Sequence, residues 1–136
     1  MSTPAFVRGL DTLAGLYFEH PSLPPSRPLE INMHRYGQLA LAPAEQVRLA
    51  VAVIEQMEAP EILMRFNRSV DTAWLHVHGN LAGLNVWIKM WADDVCEKRP
   101  GARLKRDRWE LPPEIVAAVN ARTAAEQADA AQAVTK

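Results

Sequence analysis

The 136-residue chain has a single cysteine, Cys96, so it can form no intramolecular disulfide, and its four histidines fit no zinc-finger or zinc-ribbon spacing around that cysteine. A reducing cytoplasm is the expected setting. The chain also lacks a charge excess. Fifteen Lys and Arg against sixteen Asp and Glu leave a formal net charge of -1, which gives no whole-molecule pull toward nucleic acid or an anionic membrane. Long apolar runs are missing too. The longest stretch without Asp, Glu, Lys or Arg, Thr72 to Ile88, is shorter than a bilayer span and is interrupted by two His, two Asn and two Gly. No membrane contact is expected. Residues 1–20 hold Arg8, Asp11 and Glu19 and no basic segment followed by an apolar one, so a signal peptide is not expected. A glycine-rich phosphate loop, a GxSxG elbow and an HExxH helix are all absent. No cofactor is expected, and nothing in the chain demands an enzyme.

What is present is a composition of 49% hydrophobic and 23% charged residues, which excludes disordered and collagen-like chains and gives one core's worth of apolar side chains. Thr3 followed by Pro4 is a helix start, and Val7, Leu10, Leu13, Ala14 and Tyr17 recur at helical spacing, predicting a helix over 4–19. Gly9 and Gly15 inside it each cost about 1 kcal/mol relative to Ala, so its order must depend on packing against something. Prolines at 21, 24, 25 and 28 make 20–28 an extended connection. Leu29 to Tyr36 alternates with period two and reads as a strand. Val47, Ala50, Val51, Ile54 and Met57 form the apolar face of a second helix opened by Pro43 and stopped at Ala59 and Pro60. Alternation then returns in three further runs, the last two being 72–78 and 84–91 around a five-residue loop, Gly79 to Gly83.

The expected fold is therefore α+β, in the order α-β-α-β-β-β-α, with a four-stranded, mostly antiparallel sheet. The crossover helix joins the first two strands. The first and last helices are placed beside the sheet or across its other face. Residues 1–98 form the domain, 99–111 a basic linker, and 112–136 a C-terminal helix that runs to about Arg122 and frays past Thr123, where large apolar residues run out.

Two short motifs add a resemblance. The His20-Pro21-Ser22-Leu23-Pro24 step after the first helix and the closing Asp93-Asp94-Val95-Cys96-Glu97, in this order of elements, resemble a group of small α+β proteins encoded by actinobacteria and their phages. The likeness covers roughly residues 10 to 98. It implies an intracellular or phage-encoded accessory protein and brings no catalytic residues with it.

Strand parity makes the sharper expectation. If Ile31, Met64, Leu75, Val86 and Ile88 face the helices, the opposite side carries Glu30, Asn32, His34, Tyr36, Arg65, Asn67, Trp74, His76, His78, Asn85, Trp87, Lys89 and Trp91. A solvated sheet face is normally polar, because exposed tryptophans leave apolar area in water. Three readings account for this one. The rings are a second core under the first or last helix; or Tyr36, Arg65, Trp74, Trp87, Lys89 and Trp91 bind a protein partner or a second copy of the chain; or they stack nucleic-acid bases between phosphate-binding cations.

Three lesser constellations stand beside it. His76 and His78 project from the same side about 6 to 7 Å apart, and with His34 they are weak candidates for a metal and a small histidine-metal enzyme. No carboxylate sits at ligand spacing beside them, so no metal is expected. Cys96 lies among Asp93, Asp94 and Glu97, whose field suppresses its thiolate; Asp93 and Asp94, adjacent on an extended chain, diverge. The segment 97–110 holds six basic and three acidic residues in an otherwise acidic chain. Lys98, Arg99, Arg103, Lys105, Arg106 and Arg108 are thus a solvated linker or, alternatively, a phosphate-contacting arm of a nucleic-acid-binding accessory protein. The leading expectation is a non-enzymatic, cytoplasmic binding module acting through its aromatic face on a protein partner or as a homo-oligomer.

Overall fold

The computed structural model describes residues 3–24, 28–33, 41–67, 72–98 and 109–134. The chain is α+β. Helix α1 (Thr3–Glu19) is followed by strand β1 (Leu29–Asn32), helix α2 (Pro43–Ile54), and strands β2 (Glu58–Asn67), β3 (Thr72–Leu81) and β4 (Leu84–Trp91). A one-turn helix α3 (Ala92–Val95), two short strands β5 (Glu97–Lys98) and β6 (Trp109–Glu110), and helix α4 (Pro113–Val134) complete it.

The four-stranded sheet has the order β1-β4-β3-β2, with β1 parallel to β4 and the other pairs antiparallel. The strands joined by α2 therefore run in one direction but occupy opposite edges, two strands apart. Both edges are blunted. β1 has four residues, and β2 carries Pro60 and a bulge, where Ala59 and Pro60 stand opposite Gly79 between the pairs Glu58↔Asn80 and Glu61↔His78.

Leu75, Val77, Val86, Ile88 and Met90 form the inner face, fully buried against Ala50 and Ile54 of α2 and Ile115 and Val119 of α4. Met57 leaves α2 after Ile54 to enter the same core instead of continuing the helix. Gln46 is buried on the core side of α2, where its Nε2 donates to the carbonyl of Leu41 at 3.0 Å. A second cluster, Ala73, Ala92 and Trp109, closes the far end of this face with Met64, Phe66 and Cys96.

Several expectations are corrected. The β3–β4 connection is a two-residue turn, Ala82-Gly83, both at positive φ (49° and 88°), so β3 continues through Gly79 to Leu81 and the hairpin closes in the tight form that matches strand twist. Of the two placements expected for it, helix α4 takes the one beside α2 on the core side and not the one across the aromatic face, because Ile115 and Val119 give it an apolar stripe that fits there. It continues as helix to Val134, since Ala is the strongest helix former and Arg122 and Glu126 tie it down. Arg122 Nε donates to the carbonyl of Met57 at 2.8 Å, and Glu126 Oε1 accepts the amide of Ala59 in the β2 bulge. The ends of the 97–110 stretch are not loop but pair as Glu97↔Glu110 and Lys98↔Trp109, with Trp109 buried. None of the described side chains of α1 is buried, and Phe6, Val7, Leu10, Leu13, Leu16 and Phe18 are all exposed. Tyr17 holds the following turn by donating its hydroxyl to the carbonyl of Pro24 at 2.8 Å. Among the described residues no helix is long and apolar enough to cross a membrane.

Candidate functional site

The sheet register converts the alternating letters of four strands into three rows on the outer face. Glu30, Trp87, His78 and Glu61 lie in one row; Asn32, Lys89, His76 and Leu63 in the next; Trp91, Trp74 and Arg65 in the third. Successive side chains on a strand point to opposite sides, so every one of these is the neighbour of a core residue. Leu75 on the inner side separates Trp74 from His76, and Ile88 separates Trp87 from Lys89.

The rings pack along and between the rows. Trp74 and Trp91 stack with centroids 3.9 Å apart, and His78 stacks on Trp87 at 4.4 Å. His76 meets the Trp87 ring edge-on at 5.6 Å. The two cations reach diagonally across: Lys89 Nζ is 4.0 Å from the centre of the Trp74 ring, and Arg65 Cζ is 5.9 Å from that of Trp87. Each such contact contributes about 0.5–1 kcal/mol at a partly exposed site. Carboxylates border the array, Glu30 with its Oε1 3.6 Å from Lys89 Nζ and Glu61 with its Oε2 3.6 Å from His78 Nε2. The face is not sealed. Trp74, His78, Trp87, Lys89 and Trp91 are half-buried, and Glu30, Glu61, Leu63 and Arg65 are exposed.

His76 sits at the centre of this array and is only 9% exposed. Both of its ring nitrogens and the indole nitrogen of Trp87 are buried without a hydrogen-bond partner. Burial, reinforced by the positive charges of Arg65 and Lys89, holds its imidazole below the ordinary histidine range; Glu30 opposes this weakly, and His78 adds to it. An unfolded imidazole near its ordinary value of about 6.5 takes a proton that the folded one refuses. Stability from this site is thus complete above about pH 6.5 and is lost as the pH falls below it. The melting temperature is expected to drop between pH 7.5 and pH 5.5, and the drop to shrink in His76→Gln. An unchanged pH slope in that variant excludes His76 as its source.

Of the sequence-predicted binding residues, the structure brings Arg65, Trp74, Trp87, Lys89 and Trp91 onto one face; Tyr36 lies outside the described residues. So do His34 and, from the basic segment, Arg99, Arg103, Lys105, Arg106 and Arg108, whereas Lys98 pairs through its backbone in β5. Among the described residues no group of three His, Cys, Asp or Glu is placed to hold a metal. Asp93 and Asp94 are on the single turn of α3 and not on an extended chain; Asp93 accepts the Thr72 hydroxyl at 2.9 Å.

Cys96 is governed first by burial and then by Asp93, which together push its thiol up to about 12. At pH 8 almost none is thiolate, so alkylation by iodoacetamide is expected to be roughly a thousandfold slower in the folded protein than in the urea-unfolded chain. Comparable rates in the two states contradict this placement.

Parity made the aromatic face legible in the sequence, but two features of it were not. The burial of His76 depends on its place on the inner strand β3, flanked by Leu63 and Lys89 with Trp87 edge-on, and the exposed stripe of α1 depends on what, among the described residues, fails to cover it. A scan against protein-family models finds no match to this chain, and searches of the curated proteins and of the solved structures find none either.

Proposed function

We propose that the protein is a non-enzymatic binding module that engages a protein partner, in the first instance a second copy of itself, through the sheet face carrying Trp74, Trp87 and Trp91. One observation carries the reading: the tryptophans and cations of the outer face are stacked into an ordered array that is only half-buried. Trp, Tyr and Arg are the residues that dominate protein interfaces, because they bring large rigid area at small entropic loss. Ring contacts favour this partner over single-stranded nucleic acid. A base-stacking platform needs open ring faces, whereas Trp74 already meets Trp91 and Lys89, and Trp87 already meets His78 and Arg65.

Helix α1 supports the same class of function. Six large apolar side chains are exposed along it, and no described residue lies within 4 Å of a Cβ built on Gly9 or Gly15, so no contact among the described residues accounts for those glycines. An isolated helix of this length with two glycines is marginal in water. Partner contact supplies the packing that it lacks.

Sedimentation velocity over a dilution series tests the reading, with wild type beside Trp87→Ala. Wild type is expected to dissociate on dilution, and Trp87→Ala to stay monomeric while retaining its far-ultraviolet dichroism. The loss corresponds to about 2 kcal/mol or more, the usual cost of truncating an interface tryptophan. A wild type that is monomeric at every concentration removes the self-association version.

A further inference from the structure

We propose that the cleft between β1 and the centre of the aromatic face is a binding site for a small molecule bearing an oxyanion, a carboxylate or a phosphate group. The cleft has a volume of about 360 Å³ and is lined by Pro28, Glu30, Arg65, His76, Trp87 and Lys89. That is ample for one ring and its acidic substituent, at the small end of ligand pockets.

Three facts converge on the charge of the ligand. The Trp87 indole nitrogen is a donor only, buried and unpartnered, so an acceptor alone can answer it. His76 beside it has two buried, unpartnered nitrogens, a state that costs about 1–3 kcal/mol per group, and its neutral ring carries one N–H that an acceptor can answer. Arg65 and Lys89 then put two positive charges on the cleft against the single carboxylate of Glu30. Arg65 makes no ion pair among the described residues, and the carboxylate of Glu30, more than half exposed, meets Lys89 only at 3.6 Å. An oxyanion in the cleft is drawn by Arg65 and Lys89, whose charge-assisted hydrogen bonds are the strong ones, and Trp87 and His76 line the same cleft. Trp87, its ring faces already met by His78 and Arg65, and Pro28 bound the cleft as apolar walls and add no stacking surface, so the size of the cleft and its charge set the ligand.

This inference rests on the cleft and stands apart from the partner reading, so the two fail separately. The 136-residue chain, diluted to monomer, is titrated with sodium benzoate and with sodium phenyl phosphate, against sodium chloride at matched ionic strength. Tryptophan emission and the ring resonances of His76 are followed. A saturable response to either probe beyond that of chloride is expected, and the tighter probe identifies the oxyanion. Arg65→Gln, altered at an exposed side chain and checked by its melting temperature, is expected to weaken binding at least about tenfold. A wild type that responds only as it does to chloride overturns the proposal. So does an Arg65→Gln protein that binds with unchanged affinity, because the ligand is then elsewhere.

Discussion

Ending the chain after Leu111 is expected to abolish cooperative unfolding. Helix α4 brings Ile115, fully buried, and Val119, nearly so, into the same cluster as Ile54, Leu75 and Ile88. Removing one buried isoleucine side chain costs about 2–5 kcal/mol through lost transfer energy and the cavity left behind. Loss of the whole helix also opens the inner side of α2 and of β2 to water, since α4 packs on both. It strips the Met57 carbonyl of its Arg122 donor and the Ala59 amide of its Glu126 acceptor. The total is comparable with the entire margin of a domain, about 5–15 kcal/mol. Near-ultraviolet dichroism and a thermal melt check this. A truncated chain with a sharp transition and native tryptophan signals shows that residues 1–111 carry their own core. The milder variant Ile115→Ala, expected to lose about 3 kcal/mol in urea unfolding, keeps the question measurable if the truncation aggregates.

The second large effect is expected at Gly79→Val. Gly79 is the residue of β3 that faces the β2 bulge, and a Cβ there meets the Glu58 carbonyl oxygen at 3.0 Å, the Met57 sulfur at 3.1 Å and the Met57 Cβ at 3.3 Å. Met57 is fully buried and the carbonyl belongs to the backbone of the bulge, so neither can move aside freely. Overpacking of this kind costs about 1–3 kcal/mol, and valine, with two methyls beyond the first carbon, belongs at the upper end. A fall of about 3 kcal/mol in urea-derived stability with an unchanged denaturant slope is the expected result. Stability within about 0.5 kcal/mol of wild type contradicts the close approach.

Gly79 also shows where a sequence stops being informative. A glycine that breaks a strand and a glycine that lets two backbones approach are written with the same letter. Reading it as the start of a loop made the loop three residues too long at β3 and left the bulge unseen. Elements whose signal is periodic were legible. The apolar residues of α1 and α2 recur at helical spacing, and Ile62 to Phe66, Ala73 to Val77 and Val86 to Met90 alternate, so helix, strand and inner face could all be assigned. Where the period carries little apolar weight, length was lost. The Ala-rich half of α4 has almost no stripe, and its helix is held by backbone propensity and by the polar ties of Arg122 and Glu126.

The candidate site divides the same way. Parity alone placed Trp74, Trp87 and Trp91 on one side of the sheet. Which cation covers which ring, and that His76 is sunk among them, follows from the cross-strand register of β2, β3 and β4, which no single strand's pattern encodes. Trp109 was passed over because its strand is two residues long and its burial comes from Ala73 and Ala92, distant in sequence.

The strand order has a consequence for the route by which the chain folds. β2, β3 and β4 form a meander of neighbouring antiparallel strands, whose pairing needs only short loops to close. β1, by contrast, pairs Leu29 with Val86 and Ile31 with Ile88, across α2 and two intervening strands. The entropy of closing so long a loop is spent before its few parallel hydrogen bonds form. The nucleus is therefore expected in the meander with α2 laid against it, with β1 zipping onto β4 late. The cleft that β1 completes is assembled at the end of folding, and it belongs to the part of the sheet that local opening releases first.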